Sequence, residues 1–165
     1  MLGCVVAGDT GILWQNRGSS FSLDPNAVNA LVPGMRPFHT LNPALARFGD
    51  GRVMPYGTMG GEGQPQSQSA VFSRHVMFGM PLGQSIARPR WLLGRTWGDE
   101  TFALRLESGF EESVLEGLRR SGQPMQVLEE TWSDTMGHAG AVVLHPDNTL
   151  EGAHDPRADG GAAGV

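Results

Sequence analysis

Apolar residues fall in short clusters, and the spacing within each cluster predicts its element. Residues 5–7 and 12–14 are apolar runs on either side of Gly8-Asp9-Thr10-Gly11, which predicts a small hairpin. From 16 to 42 the apolar positions thin out among Arg17-Gly18-Ser19-Ser20, Asp24-Pro25-Asn26, Pro33-Gly34 and Arg36-Pro37, all turn or extended chemistry. A connection of this length is uncommon inside a compact domain and is usually functional. Apolar runs resume at 44–48 and 52–56 around Gly49-Asp50-Gly51, a second hairpin. The glycine-rich stretch Gly57-Thr58-Met59-Gly60-Gly61-Glu62-Gly63 follows, with Pro65 at a helix start. A helix is predicted over 66–78, where Ala70, Val71, Val76 and Met77 put apolar surface on more than one face. A shorter helix over 82–87 stops before Arg88-Pro89, because a residue preceding proline avoids the helical region.

Alternation over 102–106 predicts a strand. Residues 111–121 form the clearest helix: Phe110, Val114 and Leu118 recur at four-residue spacing. Glu111 and Glu112 sit in the first turn, Arg119 and Arg120 in the last, and Gly122 stops it. Strands follow at 127–128 and 139–144, then a turn at Pro146-Asp147-Asn148 and a return strand at 150–153. The tail from Asp155 to Gly161 is polar and reads as irregular. Strands arranged in hairpins beside a few helices predict an α+β fold, with residues 1–165 as one domain, rather than a doubly wound sheet.

Composition narrows the class. Gly and Pro contribute 24 and 11 of 165 residues and charged residues only 18%, which excludes a coiled coil or a long-helix bundle. No apolar run approaches the roughly 18 residues of a membrane span. All twelve basic residues are arginine. Without a lysine, this chain holds no Walker phosphate loop, Schiff base or pyridoxal-phosphate anchor, and no cofactor is expected. A net charge of -5 with scattered arginines argues against a nucleic-acid partner. Cys4, the only cysteine, excludes an internal disulfide and reads as an inert thiol in a buried strand. The first residues lack the basic n-region of a signal peptide and read as a strand entered part-way.

The strongest local chemistry is the strand–glycine loop–helix at 54–67. Gly60 and Gly61 have no side chains, so a ligand can approach their backbone N–H groups, and the helix start adds partial positive charge. Such a place suits a phosphate, a carboxylate or the oxyanion of acyl transfer, or is simply a tight turn. The five histidines form no short pair. A set such as His138, His145, His154 and Asp155 could be imagined around a metal, but capping and surface roles suit them better, and no metal is expected. Met59, Met77, Met80 and Met136 read as core filler, and the four tryptophans as packing residues. There is no Gly-x-Ser-x-Gly elbow and no Ser-x-x-Lys. The chain therefore offers oxyanion stabilisation without an attacking group.

Four ordered stretches resolve this oddity: Val5-Val6-Ala7-Gly8-Asp9-Thr10-Gly11-Ile12-Leu13, Pro33-Gly34-Met35-Arg36-Pro37, Met59-Gly60-Gly61 and Gly152-Ala153-His154-Asp155-Pro156-Arg157. Together they resemble the small-subunit region of the gamma-glutamyltransferase family, a branch of the N-terminal-nucleophile hydrolases. The resemblance implies part of an αββα sandwich with mostly antiparallel sheets. It also implies a proenzyme that cuts itself before a threonine, and a large subunit as partner. Gly60 and Gly61 match the glycine pair of the oxyanion hole. His39 and Thr40 match a pair that touches the substrate carboxylate. Arg17 and Ser20 fall where gamma-glutamyl enzymes hold the glutamyl α-amino group with Gln and Asp. Ser20 carries no negative charge and Arg17 adds a positive one, which disfavours an ammonium and favours a small substrate with a free carboxylate and an amide.

The stretches Met59-Gly60-Gly61-Glu62-Gly63-Gln64-Pro65-Gln66 and Trp132-Ser133-Asp134-Thr135-Met136-Gly137-His138-Ala139-Gly140 look most like the oxamate amidohydrolase branch. The alternatives are a glutathione hydrolase, a gamma-glutamyl transferase or a cephalosporin-type acylase. By resemblance the nucleophilic threonine belongs some two dozen residues before Val5, where this sequence has four. The chain is therefore expected to be inactive alone, and a fragment that only binds its large-subunit partner is the non-enzymatic alternative.

Overall fold

A computed structural model describes residues 5–14, 16–94 and 102–164. It divides into two compact units, Met1–Thr40 and Leu41–Val165. In the first, β1 (Val5–Val6) and β2 (Leu13–Trp14) pair antiparallel around Gly8–Thr10, as the apolar runs predict. Cys4 lies outside the described residues, but the adjoining Val5 and Val6 are 62% and 50% exposed rather than buried. Within residues 16–40 the chain makes one 3₁₀ turn, Arg17–Ser20, and one bridge between Ser22 and Ala30.

The second unit is built on a four-stranded antiparallel sheet ordered β3 (Ala44–Arg47), β4 (Val53–Thr58), β8 (Ala139–Leu144), β9 (Leu150–His154). The Gly49-Asp50-Gly51 turn closes the first hairpin: Gly51 adopts φ 92° and Asp50 accepts the Arg52 N–H. Two helices cover one face of this sheet. α1 (Gln64–Phe72) starts at the glycine loop with Pro65 in its first turn, and its last turn widens into a π-helical turn at Ser73–Met77. α2 (Leu82–Ala87) ends at Arg88, which is extended ahead of Pro89. Met54, Ala139, Ala141 and Val143 face Val71, Leu82 and Ile86 to form the core, with Tyr56 stacked on Phe72 at 5.3 Å. The opposite face of the sheet is open: Gly140, Val142 and Leu144 alternate outward along β8 beside Leu45 and Leu150, which are 64% and 70% exposed.

A second sheet orders β5 (Trp91–Leu93), β6 (Leu104–Leu106) and β7 (Met125–Val127). β5 is not predicted from the pattern, because three residues are too few to show alternation. Its edge is met by the Gln66 amide, which donates to the Leu93 carbonyl and accepts the Leu93 N–H. β6 and β7 run parallel, with α3 (Glu112–Arg120) between them. This is the one parallel pairing among the named strands of the described residues; the others are antiparallel, in line with the mostly antiparallel sheets expected. Leu115 is the buried residue of α3; of the four-residue repeat, Phe110 and Leu118 are half-buried and Val114 points outward. Met136 is core, but Met77 is 72% exposed and Met59 partly so, and Trp132 is exposed with its Nε1 on the Ala87 carbonyl. Trp97 lies outside the described residues.

Candidate active site

The glycine loop leaves the sheet where its ladder ends. Thr58 pairs with Ala139, and the Met59 N–H still donates to the His138 carbonyl at 3.1 Å. Beyond this the backbone turns sharply: Gly60 has φ 130° and Gly61 φ 51°, values that side-chain-bearing residues rarely adopt. The Gly60 carbonyl accepts the Gly63 N–H, which opens the 3₁₀ turn Gly61–Gly63 leading into α1. Among the described residues, no acceptor takes the N–H of Gly60 or of Gly61, and neither belongs to the sheet ladder. Two adjacent donors at the entry to a helix are groups of the kind that suits negative charge.

The segment 133–139 braces this loop. A Cβ added to Gly137, at φ 73°, would lie 2.1 Å from the Met59 carbonyl oxygen, so only glycine allows the approach. Ser67 of α1 donates to the Met136 carbonyl at 3.0 Å. Behind the segment lies a buried ionic cluster that sequence reading misses. Arg90, Glu107, Asp155 and Arg157 all have fully buried side chains. Arg157 bridges the two carboxylates, donating to Glu107 through Nε and Nη2 and to Asp155 through Nη1. Arg90 donates to Asp155 and to the Gly137 carbonyl. Burial alone would raise the Asp155 carboxyl, but the Arg90 guanidinium, the N–H groups of Ala139 and Arg157, and the Arg157 charge outweigh it and hold it below the ordinary carboxylate value. Burial, together with the charges of Arg90, Arg157 and Arg88, pushes neighbouring Arg74 down to about 10. The tail is irregular, as its polarity predicts, but Asp155 and Arg157 within it are buried rather than solvated. The available signal was Asp155-Pro156-Arg157, opposite charges held two apart by a proline.

In the first unit, Arg17 donates from Nη1 to Thr40 Oγ1 at 2.8 Å and from Nη2 to Asn16 Oδ1, so two of the predicted carboxylate-binding residues contact each other. The Ser20 carbonyl accepts from the Asn29 amide, and His39 is exposed. The remaining histidines take separate partners: His138 faces Asp134, His145 faces Glu151, and His154 faces the Ala158 carbonyl. His75 faces the Met80 carbonyl. No helix among the described residues is long and apolar enough to cross a membrane.

The fold is that of an N-terminal-nucleophile hydrolase. It superposes with a TM-score of 0.69 on gamma-glutamyltranspeptidase from Pseudomonas nitroreducens, at 24% identity over 98% of this chain and 86% of that one. It also superposes with a TM-score of 0.67 on cephalosporin acylase from Bacillus halodurans, at 31% identity over 93% of this chain and 28% of that one. The gamma-glutamyltranspeptidase family model matches residues 3–165, and the chain belongs to that family. It is 59% identical over 160 residues to the oxamate amidohydrolase proenzyme of Klebsiella pneumoniae, covering 97% of this chain and 30% of that protein. It is 48% identical over 161 residues to the glutathione hydrolase-like YwrD proenzyme of Bacillus subtilis, covering 98% of this chain and again 30% of the other. The chain thus spans about 30% of the length of these curated relatives.

Proposed function

We propose that this chain supplies the C-terminal part of an amidohydrolase that cleaves the amide of a small carboxylate, oxamate-like, through a threonine acyl-enzyme whose threonine lies outside this chain. The observation that carries the reading is the pair of N–H groups at Gly60 and Gly61, free of the sheet ladder at the mouth of α1. Substrate class follows from Arg17 and from the 59% identity to an oxamate amidohydrolase proenzyme.

In this reading the threonine Oγ attacks the amide carbon while its proton passes to the threonine's own α-amine. The carbonyl oxygen becomes an oxyanion and accepts from the two glycine N–H groups. Collapse breaks the C–N bond, the amine returns the proton and ammonia leaves. Water then attacks the ester through a second oxyanion and releases the acid, oxalate when the substrate is oxamate. Arg17 with Thr40 and His39 takes the free carboxylate, and Ser20 adds no negative charge; an α-ammonium would meet Arg17 as a like charge. The partner is the large subunit of the same proenzyme, and the open sheet face around Leu45, Val142, Leu144 and Leu150 is the apolar surface it would cover. The chain alone is expected to be inactive.

The direct test replaces Gly61 by glycolate in the complete enzyme, which exchanges its N–H for an ester oxygen without adding bulk. Turnover is expected to fall about 10²–10³-fold, and unchanged turnover would overturn the reading. Comparing oxamate with a gamma-glutamyl anilide tests the substrate: clear preference for the anilide reverses the assignment toward a glutathione hydrolase.

A further inference from the structure

The turn that presents Gly60 and Gly61 is held from outside as well as by its own Gly63–Gly60 hydrogen bond. Its neighbour is the segment 133–139, joined to it by the Met59–His138 hydrogen bond and by the close seat of Gly137 under the Met59 carbonyl. The buried charges grip that segment at three backbone groups. The Ser133 N–H donates to Glu107 Oε1 at 2.8 Å, Arg90 Nη2 donates to the Gly137 carbonyl at 2.8 Å, and the Ala139 N–H donates to Asp155 Oδ2 at 2.7 Å. Glu107 also takes the Arg90 N–H, and Arg157 ties both carboxylates to the Ile86 and Arg88 carbonyls. Three charges, at 90, 107 and 155, therefore converge on one stretch of backbone, and Arg157 fixes the two carboxylates among them.

Stability alone does not account for the cluster. Buried ion pairs gain little over well-packed apolar side chains because both charges lose their water. Among the described residues, the Nε and Nη1 of Arg90 are buried and meet no hydrogen-bond partner. What Arg90 supplies that an apolar residue could not is a donor to the Gly137 carbonyl and to Asp155 at once.

We propose that the Arg90–Glu107–Asp155–Arg157 cluster is a positioning device for the oxyanion-binding turn, setting where the Gly60 and Gly61 N–H groups point by holding residues 133–139. This rests on the reading of those N–H groups as donors to the oxyanion. Because the grip acts on the oxyanion seat rather than on the substrate's carboxylate contacts, losing it lowers kcat and leaves KM.

The test compares Arg90→Met with Arg90→Lys in the complete, matured enzyme, with rates normalised to titrated active sites. Arg90→Met is expected to lower kcat about tenfold or more, up to the roughly 10²–10³-fold of a donor lost outright, with KM changed less than twofold. Arg90→Lys, whose single ammonium can stand in for Nη2, is expected to recover most of that loss. Unchanged kcat per active site in Arg90→Met, or no recovery by Arg90→Lys, would overturn the proposal. Should Arg90→Met fail to mature, Glu107→Gln keeps the side chain's shape but removes the charge that takes the Ser133 N–H. It is expected to lower kcat about 3–10-fold at constant KM, and an unchanged kcat per active site overturns the proposal. The Gly61 ester separates the two ideas: normal turnover there removes the oxyanion reading itself. A slow ester enzyme beside a fully active Arg90→Met enzyme removes only the positioning role.

Discussion

The same chemical change at two glycines should move stability in opposite directions. Gly137 sits at φ 73° and ψ 174°, a region essentially reserved for glycine, where another residue is strained by about 1–3 kcal/mol. An alanine Cβ there would lie 2.1 Å from the Met59 carbonyl oxygen and 3.0 Å from both its carbon and the Thr58 hydroxyl. Two of these three atoms are backbone of Met59, just past the end of β4 and held by its N–H bond to the His138 carbonyl, so no rotamer change relieves the clash. Overpacking of this kind adds about 1–3 kcal/mol, and Gly137→Ala is expected to destabilise by about 2–6 kcal/mol. Gly117 lies inside α3 with open space where a Cβ would point. Gly117→Ala is expected to stabilise by about 0.5–1 kcal/mol through reduced backbone entropy in the unfolded chain. Urea unfolding of the complete protein, followed by circular dichroism, reads both changes as shifts of the midpoint in opposite directions. A Gly137→Ala midpoint within the scatter of the wild type would refute the reasoning, because it would mean that the close approach to Met59 is absent in solution.

Three further outcomes are expected. Asp155 titrates below its unfolded value, so its stabilisation is complete above the unfolded carboxylate pKa, near 3.8, and is lost as pH falls through the lower folded value. Urea midpoints measured from pH 5 down to 2.5 should therefore fall more steeply for the wild type than for Asp155→Asn. At neutral pH that variant should cost about 3–5 kcal/mol, because it leaves buried guanidinium charge poorly matched. Met54 is fully buried between the sheet and the two helices, so Met54→Ala should cost about 2–5 kcal/mol in the same assay. Replacing Arg17 by Gln in the complete enzyme should raise KM for oxamate about tenfold or more, the loss of a charged hydrogen bond, while improving relative activity toward a gamma-glutamyl anilide. A variant with both constants unchanged would detach Arg17 from substrate binding.

The elements that local sequence determined are those whose signals lie within a few residues. The hairpin at Gly49-Asp50-Gly51 needs a glycine at positive φ and an aspartate to cap the turn, and both are adjacent in the chain. The helix Leu82–Ala87 lies between Pro81 and Pro89, and the alternation of Ala139–Leu144 fits a strand with one buried face. The glycine loop could likewise be placed from its neighbours, and its resemblance to a known family supplied the chemistry. Tertiary structure decided what depends on partners far along the chain. Trp91–Leu93 is a strand because Leu104–Leu106 and the Gln66 amide bond to it. The β6–β7 pairing is parallel because α3 carries the chain back, and Leu115, not Val114, meets the core because of how α3 docks. Arg90, Glu107, Asp155 and Arg157 look like ordinary surface charges one by one. Only folding brings residues 17 to 65 positions apart close enough, in a medium with little water, for their charges to hold one another and the backbone beside the glycine turn.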